Sequence, residues 1–232
     1  MAWKEIPGTL KRISAGSVSN VWGVDSTSNV FRYTGDNTNP WVQVPDDFAD
    51  ITDVSAAADG TVWGVNAIGD VYFFEWDARG WRRIFGTLKQ ISAGSSKHVW
   101  GVNAAGTVFR YVGDDNEDPF VRVNGNTNLT GISVGADGTV WGVNSTGNVY
   151  RYTEDRAGDP WVQIPGQLTT ISVGMKTTVW GVNEAGDIFT YTADDNKPWV
   201  QIAGGLVDVG AGADGVVWGV NSAGKIFRWN RD

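Results

Sequence analysis

A five-residue phrase, Val-Trp-Gly-Val-Asn, recurs along the whole chain with Asp in place of Asn in the first copy, and it constrains the fold more than any other feature. The tryptophans that mark its copies are separated by 41, 37, 41, 39 and 38 residues: Trp22, Trp63, Trp100, Trp141, Trp180 and Trp218. Repeats of this length are typical of architectures that stack or circularise one supersecondary unit. The chain is therefore predicted to consist of six copies of one unit.

Each copy carries further landmarks at constant distances from its tryptophan. An aliphatic residue that opens a run of small residues lies nine positions before it, as in Ile91-Ser92-Ala93-Gly94, and an aromatic residue lies eleven positions after it, as at Tyr111. A second aromatic residue follows seven to nine positions later, as at Trp161, and the chain opens with its counterpart, Trp3. All variation in length falls between these landmarks, where loops are expected.

The landmarks predict short β-strands. In the third copy we expect strands at 81–84, 88–94, 99–103 and 107–111, with a loop at 95–98. The recurring Asn-x-x-Gly suits a hairpin whose type I turn is followed by a glycine in the left-handed region. Short, evenly spaced strands without helical periodicity predict four antiparallel strands per copy.

Six such units fit an all-β fold, a six-bladed β-propeller in which residues 1–232 form one domain. The small residues of the Ile-Ser-Ala-Gly runs are predicted to lie on innermost strands, which crowd around the axis. The chain begins with an outermost strand, Trp3–Ile6, and ends with a third strand, Lys225–Trp229. The N-terminal strand is therefore predicted to complete the last blade and close the ring. Most tryptophans are expected to pack within and between blades.

Composition limits the classes of ligand. The chain is 41% hydrophobic with 13 tryptophans, which predicts a sizeable core, and its net charge of −8 argues against nucleic acid and anionic membranes as partners. It has no cysteine, no apolar run of membrane-spanning length, and no signal-peptide core near Met1. We expect a cytoplasmic protein without a cofactor and without membrane insertion, and leave release by an unconventional route open.

Residues that could carry catalysis are scarce. The sole histidine is His98, so a histidine-based nucleophilic mechanism would rest on that residue alone. Acidic loops could supply a carboxylate pair or a calcium site, but their acids lie beside glycine, asparagine and proline, as in solvated turns, without the spacing of a calcium hand. These acids are Asp114, Asp115, Glu117, Asp118, Asp194 and Asp195. We expect neither an enzyme nor a metal site, and leave calcium binding by the loops open.

A repeated binding site should reuse repeated polar residues, and an arginine ten positions after the tryptophan is the first candidate. It is present in four copies, as Arg32, Arg110, Arg151 and Arg228. The hairpin register places it directly across from its tryptophan. It either stacks on the indole for structural reasons or presents donors to a polar ligand while the indoles of the six tryptophans offer an apolar surface. Phe73 and Thr190 take its place in the second and fifth copies, which predicts two weaker sites.

The asparagine of Val-Asn is the second candidate, at Asn103, Asn144 and Asn221. Asparagine also starts turns by accepting backbone hydrogen bonds, so a structural role and a ligand-binding role both stay open. It lies three residues from the tryptophan, about 10 Å along an extended strand. Arginine and asparagine of one hairpin should therefore not share a site for one small ligand, although neighbouring blades could combine them.

The phrases Val-Trp-Gly-Val-Asn, Phe-Arg-Tyr and Trp-Val-Gln-Ile resemble the tectonin repeat, and the resemblance covers all six copies. Tectonins are propeller lectins of fungi and animals, and their fungal and invertebrate members recognise glycans, including O-methylated sugars, in innate defence. The resemblance implies a multivalent lectin for O-methylated mannose or fucose, with self-association left open. The alternative is a protein-interaction scaffold that uses one asymmetric surface, because a fold alone does not decide function.

Overall fold

The computed structural model describes residues 2–45, 49–114, 118–125, 127–154 and 159–230, which form six four-stranded antiparallel sheets, here called blades. Blades 1 and 2 consist of β2 (Arg12–Ser17), β3 (Asn20–Val24), β4 (Val30–Tyr33), β5 (Trp41–Val44), β6 (Ile51–Ala56), β7 (Val62–Asn66), β8 (Asp70–Glu75) and β9 (Gly80–Thr87). Blades 3 and 4 consist of β10 (Gln90–Ser95), β11 (His98–Val102), β12 (Val108–Tyr111), β13 (Phe120–Arg122), β14 (Gly131–Val134), β15 (Val140–Val143), β16 (Asn148–Tyr152) and β17 (Trp161–Gln167). Blades 5 and 6 consist of β18 (Thr170–Met175), β19 (Thr178–Val182), β20 (Ile188–Tyr191), β21 (Trp199–Ile202), β22 (Asp208–Ala211), β23 (Val217–Val220), β24 (Lys225–Asn230) and β1 (Ala2–Thr9). No helix in these ranges is long and apolar enough to cross a bilayer.

The first strand of the chain completes the last blade. β1 pairs antiparallel with β24, with Trp3 opposite Trp229 and Ile6 opposite Ile226. The outer edge of β24 is thereby covered, as the order of strands in the sequence predicts. The prediction of a six-bladed propeller closed by the N-terminal strand is confirmed.

The hairpin register is also the predicted one. Trp141 lies opposite Arg151, and the turn between them is closed by a hydrogen bond from the N–H of Gly147 to the carbonyl oxygen of Asn144 at 3.0 Å. Gly147 has a φ of 81°, so the left-handed position of the turn is filled by the residue that adopts it without a steric penalty. In blade 1, Ser28 takes this position with a φ of 65°.

The hydrophobic core is divided among the junctions between neighbouring blades. At the junction of blades 4 and 5, Trp141 and Val149 pack with Leu168 and Val179. The glycine after the repeat tryptophan of blade 5 makes room for this packing, because a Cβ on Gly181 would lie 2.4 Å from Leu168 Cδ1. The six repeat tryptophans are 0–4% exposed. They form the interior of the junctions, where each buries a large apolar area.

Serine hydroxyls join the innermost strands around the axis. Each accepts a hydrogen bond from a backbone N–H of the next blade, at 2.8–3.0 Å, through Ser14, Ser55, Ser92, Ser133 and Ser172. The junction of blades 6 and 1 has Gly210 at the serine position, and Asp208 Oδ2 instead accepts the N–H of Ile13 at 2.8 Å. The ring closes at that junction through a carboxylate.

Candidate ligand-binding clefts between blades

The cleft between blades 4 and 5 shows how the repeat places an arginine at the edge of a junction. The guanidinium carbon of Arg151 lies 5.5 Å from the ring centroid of Trp141. Its nitrogens reach into blade 5, where they donate to the hydroxyl of Tyr191 at 3.0 Å and to the two oxygens of Asp195 at 3.0 and 2.8 Å. Tyr191 in turn donates to Asp195. Two blades therefore build one polar edge.

This edge is charged but compensated. The hydrogen bonds from Arg151 and Tyr191 hold the pKa of Asp195 below its ordinary value, so the carboxylate is ionised at neutral pH. Asp195 is 44% exposed, so water or a ligand can reach its remaining lone pairs. The guanidinium has five N–H donors, and three of them are used in these contacts. The edge keeps both donors and acceptors for a polyhydroxylated molecule.

The buried floor of this cleft is aromatic. The ring centroid of Trp141 lies 4.9 Å from that of Tyr191 and 6.0 Å from that of Trp199. Because Trp141 is 1% exposed, a molecule arriving from solvent meets Arg151, Tyr191 and Trp199 first. Direct contact between a sugar and the repeat indoles stays a prediction.

Two further clefts have the same stack with different partners. Arg228 lies 5.8 Å from the Trp218 ring centroid, and the neighbouring Tyr33 of blade 1 donates its hydroxyl to Asn37 at 2.9 Å. Arg110 lies 5.9 Å from the ring centroid of Trp100. For Arg110, Arg151 and Arg228, the predicted pairing of arginine with its own repeat tryptophan is confirmed.

The cleft between blades 1 and 2 departs from that prediction. Arg32 lies opposite Trp22 in the β3–β4 register, but its guanidinium stacks 5.4 Å from the ring centroid of Trp76 in blade 2. Trp76 lies in the short β8–β9 connection and is 46% exposed. No repeat position predicted this tryptophan, because it occurs in one copy only.

The cleft between blades 2 and 3 regains an arginine from another strand. Phe73 faces Trp63, and Arg82 lies opposite Phe73 on β9. The Arg82 guanidinium lies 5.5 Å from the Phe73 ring centroid and pairs with Asp114 of blade 3 at 2.7 Å. An arginine therefore reaches the cleft of the second copy from another strand, and the weaker site expected there stays a prediction. The prediction considered only the residue ten positions after each tryptophan. It could not detect Arg82, because this arginine lies on the neighbouring strand of the sheet.

In the cleft between blades 5 and 6, no guanidinium of the described residues stacks on the repeat tryptophan, as the threonine at the arginine position predicts. The hydroxyl of Thr190 donates to the carbonyl oxygen of Val179 in its own blade at 3.4 Å. Trp180 instead packs against Trp3 and Trp229, with ring centroids 6.1 and 5.8 Å away. This junction is an apolar seam where the two ends of the chain meet.

The asparagines of the second candidate set lie at the opposite end of each blade from the arginines. The side-chain oxygen of Asn144 accepts the backbone N–H groups of Thr146 and Asn148 at 3.1 and 2.8 Å. The same two-bond pattern holds at Asn103 and Asn221. These oxygens are occupied in turns, which favours the structural role. No cleft described above combines them with an arginine.

The remaining chemical candidates have structural partners. Asp194 Oδ1 accepts the N–H of Asn196 at 2.9 Å within a turn, and Asp114 accepts the hydroxyl of Tyr111. His98 Nδ1 lies 3.2 Å from the carbonyl oxygen of Ala136 in the next blade. Asp115 and Glu117 lie outside the described residues. Within the described ranges, no group of three or more His, Cys, Asp or Glu side chains is placed to hold a metal ion.

The innermost strands surround a central cavity of about 580 Å³. Its ring of polar side chains is not symmetric: Arg12 lies between Asp53 and Asp208 on the neighbouring blades, and Gln90 and Thr170 follow further round. Burial raises the pKa of Asp53 to about 7, opposed in part by the charge of Arg12. Burial likewise raises the pKa of Asp208 to about 6, opposed by Arg12 and by the N–H of Ile13. One arginine thus serves two carboxyl groups.

Comparison with known families gives one match over most of the chain. The model of the tectonin domain matches residues 9–198. Tectonin-1 of Physarum polycephalum is 33% identical over 71 residues, which is 30% of this chain and 30% of that protein. The alignment therefore spans less than a third of the relative's length.

Solved structures share the fold of this chain at low sequence identity. The chain superposes on the structure described as YCF48 bound to D1 peptide with a TM-score of 0.67 and 13% identity, covering 100% of this chain and 97% of the other. It superposes on a streptogramin B lyase with a TM-score of 0.64 and 14% identity, covering 99% and 97%. At this identity the likeness shows the fold alone.

Proposed function

This chain belongs to the tectonin family, and on that premise we propose that it is a multivalent lectin whose inter-blade clefts bind glycans. The observation that carries the proposal is the repeated arginine at the junction edges, as where Arg151 spans from Trp141 to Tyr191 and Asp195 of the next blade. This contact brings a guanidinium and a partly exposed carboxylate together at the junction. The same arrangement is built again from different residues where Arg82 meets Asp114.

The chemistry of these edges suits sugar hydroxyls. A hydroxyl both donates and accepts, and the edge at Arg151 offers free N–H donors next to the partly exposed carboxylate of Asp195. Hydrogen bonds to charged groups are roughly twice as strong as neutral ones. The indole N–H groups of Trp63, Trp141 and Trp218 are buried and have no acceptor within the described residues. They are further donors for a water molecule or a ligand oxygen in the junction.

An O-methyl group would favour binding because the floor of each cleft is aromatic. Tyr191 and Trp199 line the cleft beside Arg151 and contact Trp141. Burying one methyl carbon contributes about 0.8 kcal/mol, so hydroxyl contacts must supply the rest of the discrimination. We infer O-methylated mannose or fucose on foreign glycans as the ligand class, and innate defence as the use.

Several weak sites on one rigid ring would act through avidity. The arginine clefts face different directions around the ring because each belongs to a different junction. Binding at a second cleft on the same surface becomes intramolecular, which can raise the apparent affinity 10²–10⁴-fold without a new contact, an order-of-magnitude figure. A dense glycan surface is therefore the natural target.

Replacing Arg110, Arg151 and Arg228 together with lysine should reduce binding to an O-methylated glycan surface by about tenfold or more. Lysine keeps the charge but loses the planar fork that donates to two oxygens at once. The melting temperature should fall by only a few degrees, because partly exposed ion pairs contribute about 0–1 kcal/mol each. A glycan array that includes O-methylated mannose and fucose, followed by titration calorimetry, measures the binding.

The matched control is Arg122→Lys, because Arg122 is exposed on the outermost strand of blade 3. It should bind glycans as the parent protein does. A triple variant that melts far below the parent would return the arginines to a structural role. No glycan signal together with one protein partner per chain would favour the scaffold.

A further inference from the structure

The cleft between blades 1 and 2 presents an exposed indole that the other described clefts do not have. Trp76 is 46% exposed, whereas Trp22 beneath it is fully buried. Its Nε1–H donates to the carbonyl oxygen of Gly60 at 3.0 Å. Its ring lies edge-on to Phe74 and Trp22, with centroids 5.1 and 5.8 Å away. The indole is therefore fixed in orientation while much of its surface faces solvent, as in a preformed stacking platform.

The guanidinium beside this indole has no carboxylate partner. Arg32 lies 5.4 Å from the Trp76 ring centroid, and within the described residues it forms no salt bridge, not even with Asp77, the next residue after the tryptophan. By contrast, Arg151 is held by Asp195, and Arg82 is held by Glu75 and Asp114. Arg228 also forms no salt bridge within the described residues, but it stacks on the fully buried Trp218, so the Arg32 cleft differs in joining such a guanidinium to an exposed indole. The charge of Arg32 is left for a group from outside the chain.

We propose that this cleft binds an acidic sugar of the hexuronic acid class, with the sugar carboxylate on Arg32 and the sugar ring on Trp76. A carboxylate matches the guanidinium fork with two parallel hydrogen bonds. The clefts at Arg151 and Arg82 already contain carboxylates that would repel a second one. The inference rests on the proposed lectin function, and it gives one cleft a different ligand class from the rest.

The net charge of −8 repels an anionic sugar at long range. At physiological ionic strength this repulsion is screened beyond roughly 8 Å, so the guanidinium of Arg32 dominates the electrostatic interaction at the cleft. Trp76 also reports the binding directly, because an exposed indole changes its fluorescence when a ligand covers it.

The experiment titrates the intact protein with methyl β-glucuronide and with methyl β-glucoside, its neutral counterpart, while tryptophan fluorescence is recorded. We expect the glucuronide to bind about tenfold more tightly, since hydrogen bonds to charged groups are stronger than neutral ones. Arg32→Gln should abolish that difference, and Trp76→Ala should remove the fluorescence change. Arg122→Gln, in an exposed position away from the cleft, should preserve both.

Equal affinity for the two glycosides would overturn the inference, as would a glucuronide preference that survives Arg32→Gln. A parallel titration with an O-methylated mannoside separates this result from the lectin proposal. Binding of the mannoside without a glucuronide preference contradicts the acidic-sugar cleft alone. Failure of all three sugars contradicts both proposals.

Discussion

Gly94→Ala is expected to lower the free energy of unfolding by about 3 kcal/mol or more, because the innermost strands leave no space for a Cβ. A Cβ on Gly94 would lie 2.0 Å from the carbonyl oxygen of Gly135 in the next blade. That contact is with backbone. The two strands cannot simply separate, since the N–H of Val134 also donates to the hydroxyl of Ser92 at 3.0 Å. For a chain of this size we expect a melting temperature lower by roughly 6–12 °C.

Gly205→Ala is the matched control for this prediction. A Cβ on Gly205 would meet nothing within 4 Å, and its φ is not in the left-handed region. Thermal unfolding of the two variants, followed by circular dichroism, should separate them clearly. Equal melting temperatures would show that the innermost strands are not packed as tightly as described.

The second large effect is a rise in stability as the pH is lowered from 8 to 5. Folding raises the pKa of Asp53 from its ordinary value of 3.8 to about 7, and that of Asp208 to about 6. Between roughly pH 4 and 7 the folded chain therefore binds more protons than the unfolded chain. Stability must fall as the pH rises through this window, and the loss is complete above the folded pKa values.

Asp53→Asn should remove most of that dependence and stabilise the protein at pH 8. In this variant Asp208 is the one carboxyl group that remains beside Arg12. The folded protein therefore buries one ionised carboxylate at pH 8 in place of two. We expect a gain on the order of 2 kcal/mol at pH 8 after allowance for water in the cavity, and roughly a third of that at pH 5, because pH 5 still lies above the ordinary pKa of 3.8. Differential scanning calorimetry at both pH values measures it.

Asp77→Asn provides the comparison for the pH experiment. Asp77 is exposed, and within the described residues it has no hydrogen bond or salt bridge. This variant should keep the pH dependence of the parent protein. A parent protein that melts at the same temperature at pH 5 and pH 8 would show that Asp53 and Asp208 titrate normally, and the cavity would then be more hydrated than described.

The sequence predicted those features that depend on repetition. The spacing of Trp141 and Arg151 sets a hairpin register, and the turn between them needs a glycine at a positive φ, so their pairing follows from local chemistry. Closure of the ring followed from the order of strands, because β1 could only pair with the exposed edge of β24.

Features that depend on differences between copies could not be predicted in the same way. Even and odd blades differ in one hydrogen bond. An aspartate of each even blade accepts a backbone N–H of the odd blade that follows, at 2.7–3.0 Å; these are Asp59, Asp137 and Asp214. Odd blades have no matching acid, so the symmetry is that of three pairs of blades. The averaged repeat concealed this alternation.

The candidate site was predicted in outline and missed in its details. The pairing of Arg151 with Asp195 lies between blades, and residues 44 positions apart in a variable loop carry no local signal. The same holds for Arg82. It lies on β9, one strand further out than Phe73, and supplies the guanidinium that the Phe73 position lacks. The sequence predicted that most tryptophans pack within and between blades, but the near-complete burial of the repeat indoles, at 0–4% exposure, depends on how closely the blades pack, which the spacing of residues does not report.

The most direct test of the lectin proposal is the number of O-methylated mannoside molecules bound to one chain, counted by native mass spectrometry. The proposal predicts more than one and up to four, one for each cleft that contains Arg82, Arg110, Arg151 or Arg228, since the Arg32 cleft is assigned to an acidic sugar. The number should fall by one when Arg151 is replaced by lysine. A single bound mannoside that Arg151→Lys leaves in place, as expected for a ligand in the central cavity, would contradict it.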